Sequence, residues 1–248
     1  MPRLVAGPAS RIAQASTALL LALLLAISTA AAARAGDGPT TTDPALAAAG
    51  WLATQVETDP TLGAGTLADA IFAFAAAGTG QAAATTALGG IAAGLDAYVM
   101  PGGTLLPGAL AKAMLAVQVQ GGDPTAFGGR DLEADLRGLL TVGGPDDGRF
   151  GAGSAFDQAL AVLALSRTAG GIPATAATWL ANAGCPSGEY SWDGSCPAAP
   201  GSEDPDTTGI VLQALLVAGE TSAADAATAW LLSIQDSDGG FPSFGTSR

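Results

Sequence analysis

The chain has 248 residues, 49% of them hydrophobic and only 12% charged, with no histidine and a formal net charge of −13. Such a charge repels nucleic acid phosphates and anionic lipid headgroups, which argues against either as a partner. Without histidine, neither a Ser-His-Asp or Cys-His nucleophile nor a His-ligated catalytic zinc can be built, which leaves carboxylates, Tyr98, Tyr190 and the single Lys112 for any acid–base chemistry.

In chain order, Arg3 and Arg11 give a positive segment ahead of an apolar run from Ala18 to Ala30, and Ala33-Arg34-Ala35 supplies a small-x-small site before Gly36. Residues 1–35 read as a cleaved secretory signal. The competing reading, a membrane anchor, wants about 20 apolar residues, more than this run provides. Cleavage would remove Arg3, Arg11 and Arg34 and leave 213 residues, with six basic side chains against 22 acidic ones, a net −16. A secreted or cell-surface location follows, with no membrane contact after cleavage. Residues 36–43 read as a linker and residues 44–248 as one repeat domain.

Alanine and leucine dominate that domain, and Gly and Pro fall between the apolar periodic runs, which predicts helices joined by short connectors. Helix Pro44–Gln55 is followed by Thr66–Gly78, Ala83–Val99 by Gly108–Gly121, Asp131–Thr141 by Phe156–Gly170, and Ala174–Ala183 by Thr207–Gly219, with Ala223–Gln235 standing last. Four closing glycines, Gly78, Gly121, Gly170 and Gly219, suit the left-handed residue that ends a helix. Counted back from them, Ile71, Met114, Leu163 and Leu212 align, as do Phe74, Val117, Ser166 and Leu215. Spacings of three and four on one face mark amphipathic helices docked on neighbours. The prediction is an all-α chain of stacked helical hairpins, about four and a half repeats long.

The repeat is clearest at Ala227-x2-Trp230-Leu231-x3-Gln235-x3-Gly239-x-Phe241. Ala176-x2-Trp179-Leu180 with Gly188-x-Tyr190 is a looser copy lacking the glutamine. Asp147-Gly148-Arg149-Phe150 repeats the turn alone, and Ala48-x2-Trp51-Leu52 the helix alone. These residues resemble the repeat of squalene and terpenoid cyclases and protein prenyltransferases, over roughly residues 44–248. The resemblance implies an α/α toroid of six hairpins with inner helices around a cavity. At about 45 residues per hairpin, ring closure would take about 270 residues. The chain is then expected to form an incomplete toroid, read first as a fragment truncated at its C-terminus and otherwise as an open arc or a subunit whose partner covers the end. An apolar edge open to self-association is expected after Ala223–Gln235.

Glu203-Asp204-Pro205-Asp206-Thr207-Thr208-Gly209 is similar to the Asp-x-Asp-Asp-Thr-Ala segment of class II terpenoid cyclases. There the middle carboxyl protonates an alkene, a role that would fall to Asp206, with Asp204 beside it. Thr207 stands where the last aspartate belongs and Gly209 where the alanine belongs, so the motif is broken. A helix-capping role accounts for Asp206 better, because Asp157 occupies the same register without any such motif. The prenyltransferases of this group hold zinc with Asp, Cys and His, and no histidine is present here.

Cys185 and Cys196 are the only cysteines, and in an exported chain they predict a disulfide. The acidic turns Pro145-Asp146-Asp147-Gly148, Asp204-Pro205-Asp206 and Asp236-Ser237-Asp238-Gly239 do not form a complete calcium loop and read as solvated turns. Trp51, Trp179 and Trp230 share one repeat position and read as packing residues, alongside Gln235, Gly239 and Phe241. The extracellular branches of this architecture include cobalamin carriers. By that analogy the expected function is non-catalytic binding of a small molecule in the toroid cavity, or of a cell-surface partner, with no cofactor or metal. The alternative is a squalene-type cyclase using Asp206 as its acid.

Overall fold

The computed structural model describes residues 43–192, 196 and 204–242. The signal and most of the linker expected at residues 1–42, the acidic Glu203, and residues 243–248 lie outside the described residues. The chain divides into two compact units, Met1–Ala47 and Ala48–Arg248. In the first, Asp43 accepts the Ala45 amide at 2.9 Å.

The described residues form ten α-helices: α1 (Pro44–Thr58), α2 (Ala64–Ala77), α3 (Gln81–Ala93), α4 (Leu95–Val99), α5 (Pro107–Val119), α6 (Leu132–Gly138), α7 (Ala155–Leu165), α8 (Ala174–Asn182), α9 (Pro205–Ala218) and α10 (Thr221–Ile234). Two short 3₁₀ turns, Pro101–Gly103 and Pro124–Ala126, lie between them. Extended pairing is limited to the isolated bridges Phe127–Arg130 and Leu140–Phe150 among the described residues. The described residues are all-α, as their periodicity predicts.

The predicted second helices, α2, α5, α7 and α9, form one row in which each packs on the next. Four of the five predicted first helices lie against that row: α3 on α2, α6 on α5, α8 against both α7 and α9, and α10 on α9. Each of these packs at least as much on the row helix before it as on the one after. The tight hairpins are therefore α2–α3 and α9–α10, which joins each second helix to the next first helix. Burial follows position in the row. α5 and α7, flanked on both sides, bury residues nearly all round, including Leu110, Met114, Val117, Leu160 and Leu165. α9 buries Val211, Ala214 and Leu215 but exposes Leu216 and Val217. Buried faces rich in alanine, such as Ala83, Ala84 and Ala87 of α3, let helix axes approach closely at little side-chain entropy cost.

Three of the four closing glycines end their helices as predicted. Gly78, Gly121 and Gly219 have φ of 64°, 71° and 79°. In each case the glycine amide reaches back three residues and the next amide five, as Thr79 does to Phe74 O, Gly122 to Val117 O and Glu220 to Leu215 O. This paired closure needs a left-handed residue, which glycine adopts without a Cβ clash.

Gly170 is a correction. α7 ends a full turn earlier, at Leu165, and the left-handed glycine is Gly171, φ 62°. Arg137 explains the shift: its Nη2 donates to Thr168 Oγ1 at 3.0 Å and to the Gly171 carbonyl at 2.9 Å, holding residues 166–171 as a loop. The core positions of α7 are accordingly Ala159 and Val162, both buried, in place of Leu163, half-buried, and Ser166, exposed. The helix predicted over Ala83–Val99 is also broken, at Gly94, into α3 and α4. Asp131–Thr141 shortens to Leu132–Gly138, with Asp131 as its cap accepting the Ala134 amide at 2.9 Å.

Candidate functional site

The Gly-x-aromatic turns are built alike. Gly148, Gly188 and Gly239 have φ of 93°, 97° and 89°. In each turn the carbonyl of the next residue accepts an amide from upstream: Arg149 O from Thr141, Glu189 O from Cys185 and Gly240 O from Asp236, at 2.8–2.9 Å. A Cβ on Gly148 would run into the Thr175 carbonyl at the start of the Ala176-x2-Trp179 helix. A Cβ on Gly188 would run into the Ala226 carbonyl, just before Ala227-x2-Trp230. The Gly148 and Gly188 turns therefore seat their glycines on the next copy of the helix motif, and Arg149 also stacks over Trp179 at 5.4 Å.

The aromatic residues of the first two turns are each clamped by a side chain at the fourth position of the following row helix. Phe150 donates its amide to Gln158 Oε1 at 2.7 Å and its carbonyl accepts from Nε2 at 3.0 Å. Tyr190 uses Thr208 in the same way: its amide donates to Oγ1 at 3.0 Å, and that hydroxyl donates to its carbonyl at 3.1 Å. Gly184 stands where Gln235 stands in the last repeat, and the Tyr190 ring packs over it, leaving no room for a glutamine. In the last repeat Gln235 donates to the Gly239 carbonyl at 3.0 Å.

Cys185 and Cys196 form the predicted disulfide, with Cα atoms 5.3 Å apart. It ties the Gly188 turn to the segment leading into α9 and fits an oxidising compartment. Replacing both cysteines with serine is expected to lower stability by about 2–3 kcal/mol, because the unfolded chain regains the closed loop's entropy. Urea denaturation with and without reductant checks this, and an unchanged midpoint would contradict it.

The Asp204–Asp206 segment departs from expectation. Asp206, read as a cap, is exposed in the first turn of α9 and caps nothing. The cap is Asp204, 6% exposed: its Oδ1 accepts the Thr207 amide at 2.8 Å and its Oδ2 the Trp192 amide at 3.0 Å. Asp157 is likewise not the cap of α7 but the third residue of a capping box. Ser154 is the cap, and Asp157 Oδ2 accepts the Ser154 amide at 2.8 Å. Asp204→Ala should cost about 2–3 kcal/mol, since it removes a cap and strands the Trp192 amide. Asp206→Asn should cost less than about 1 kcal/mol. Equal losses in thermal denaturation would overturn this assignment.

The remaining acid–base candidates are engaged in structure. Lys112 pairs with Asp69 at 2.8 Å, joining α5 to α2. Burial pushes the Tyr98 phenol up to about 12, helped by the nearby Asp69 and Asp157 carboxylates, and its ring packs against Gly65. The Tyr190 phenol is likewise raised to about 12, chiefly by burial and then by Glu220. A phenol whose pKa is higher folded than unfolded contributes stability that is present below about pH 10 and lost as pH rises toward about 12. Absorbance at the phenolate band should therefore lag in the folded protein and rise with unfolding across that window; free titration at pH 10 without unfolding would contradict it.

Among the described residues no three His, Cys, Asp or Glu side chains converge in a way that could hold a metal. Asp146, Asp147 and Asp238 serve their own turns, with Asp147 Oδ1 accepting the Gly143 amide at 2.7 Å and Asp238 Oδ1 the Gly240 amide at 2.9 Å. Of the three tryptophans at the repeat position, Trp230 is buried, Trp179 half-buried beneath Arg149, and Trp51 65% exposed.

An open cleft of about 560 Å³ lies at the loop end of the row, where residues 121–125, after α5, face residues 167–169, after α7. Gln118, Glu133 and Arg167 also line it. Gln118 donates Nε2 to the Ala164 carbonyl at 3.0 Å, while its Oε1 is buried without a partner among the described residues. Arg167 is the one basic residue among those described that pairs with no carboxylate. Sequence reasoning missed this cleft, because its walls come from loops whose meeting depends on the early end of α7.

No family model, characterised protein or solved structure matches the chain. No helix among the described residues is long and apolar enough to cross a membrane.

Proposed function

We propose that this is an exported, non-catalytic binding protein whose stacked helices form an arc of an α/α toroid. Its ligand is a small polar molecule, or the polar end of a cell-surface partner, held in the cleft beside Gln118 and Arg167. The observation that carries the reading is the unpartnered Gln118 Oε1. A buried acceptor left unpaired costs about 1–3 kcal/mol, which a donor on the ligand would offset. The Arg167 guanidinium adds one site for a carboxylate or other acceptor. An acidic surface around the unpaired Arg167 favours an uncharged or zwitterionic ligand over a polyanion. A toroid cavity remains part of the proposal through the repeat resemblance alone.

The cyclase alternative draws no support from the geometry of its acid. Asp206 is exposed, and both Asp204 oxygens accept backbone amides.

The test is a ligand-induced rise in Tm across neutral sugars, amino acids and short peptides, combined with native mass spectrometry of protein recovered from the growth medium. A ligand that stabilises wild type but neither Gln118→Leu nor Arg167→Gln would support the cleft. Binding unchanged in both variants would sink it. Cyclised product from a polyprenyl substrate, lost in Asp206→Asn, would replace it with the enzyme reading.

A further inference from the structure

Both halves of the repeat junction are also present in open form. Inside the chain the junction occurs twice, as Gly148 on the Ala176–Trp179 helix and Gly188 on the Ala227–Trp230 helix. In both junctions the glycine lies against backbone, the motif alanine is buried, and the aromatic two residues after the glycine is buried.

The Gly239 turn has the same left-handed φ and the same hydrogen bonds as the Gly188 turn: Gly239 N to Asp236 O matches Gly188 N to Cys185 O. Around it, however, a Cβ would meet only Gln235 Nε2, at 4.0 Å. Phe241 is 38% exposed, where its counterparts Phe150 and Tyr190 are 0% and 2%. The receiving side is open as well. Ala48 and Trp51 of α1 are exposed, although their counterparts Ala176, Ala227 and Trp230 are buried and Trp179 is half-buried. The turn is thus preformed without a described helix on it, and the helix face is preformed without a described turn on it.

We infer that the protein associates head to tail with a second copy of itself, the Gly239–Phe241 turn of one chain seating on the Ala48–Trp51 face of α1 in the next. A second copy is the occupant because each open half is complementary to the other half, and every copy carries both. The contact is heterologous, so it leaves a free turn at one end and a free helix face at the other, and it propagates. Asp236 and Asp238 on the turn meet an α1 whose only side-chain charge is Glu57, so the contact carries like charge and should strengthen as salt screens it.

Sedimentation velocity of the purified chain should show species larger than monomer that grow with concentration and with salt. Ala48→Glu blocks the receiving face, while Gly239→Glu or Phe241→Asp blocks the turn. All three changes fall on exposed positions, and circular dichroism confirms that each variant is folded. Each variant alone should be monomeric. A mixture of Ala48→Glu with either turn variant should give 1:1 dimers, because the intact turn of the first meets the intact face of the second. A concentration-independent wild-type monomer would overturn the inference. So would variants that associate like wild type, or a mixture that stays monomeric, since a two-fold interface would not be rescued in this way.

Discussion

Gly148→Ala and Gly188→Ala are each expected to lose about 3–5 kcal/mol, whereas Gly239→Ala is expected to lose only about 1–2 kcal/mol. All three glycines share a left-handed backbone, so alanine brings the same intrinsic strain at each. The difference lies in what the new methyl group meets. At Gly148 it overlaps the Thr175 carbonyl and at Gly188 the Ala226 carbonyl, both main-chain atoms of helices fixed by their own hydrogen bonds. A side chain could rotate away, but a helix backbone must move bodily, opening the junction between repeats. At Gly239 the methyl group enters open space among the described residues. Urea denaturation of the three variants separates the two costs. Equal losses at all three sites would mean that the junction contributes nothing beyond turn strain.

Gln158→Leu should destabilise by about 3–5 kcal/mol and Thr208→Val by about 2–4 kcal/mol, although both replacements are apolar and close in size. Gln158→Leu strands the Phe150 amide and leaves its carbonyl only the Gly153 amide at 3.4 Å, and Thr208→Val strands both the amide and the carbonyl of Tyr190, all where water has no access. The conservative variants sharpen the test. Thr208→Ser keeps the hydroxyl and should lose about 1 kcal/mol or less, mostly from the missing methyl. Gln158→Glu still accepts the Phe150 amide but cannot donate to its carbonyl, and it introduces a buried charge, so it should fare no better than leucine. A loss below about 1 kcal/mol for Gln158→Leu would show that the turns hold without their clamps.

Signals that act through neighbouring residues were legible in the chain. Helix type and three of the four stops follow from apolar spacing and from glycines at 78, 121 and 219, since a left-handed residue ends a helix wherever it stands, whereas the pairing was legible only in reverse: the tight hairpins join each second helix to the next first helix. The cysteine pairing followed from there being only two. The cap at Asp204 was legible too, though misplaced to Asp206: Pro205 is suited to the first helical position, which makes the residue before it the cap.

What the sequence by itself determined, then, is a series of helices with its punctuation. Only the tertiary structure decided how far α7 runs, because Arg137, 28 residues upstream of its end, captures the Thr168 and Gly171 loop and outweighs the helical pattern. It also paired Gln158 with Phe150 and Thr208 with Tyr190, since those partners lie 8 and 18 residues apart and meet only once the turn has seated. The cleft at Gln118 and Arg167, and the open junctions at Gly239 and Ala48, exist for the same reason. Whether a polar atom is satisfied or a helix face is covered depends on what arrives from elsewhere in the fold, and a local pattern of residues does not encode that.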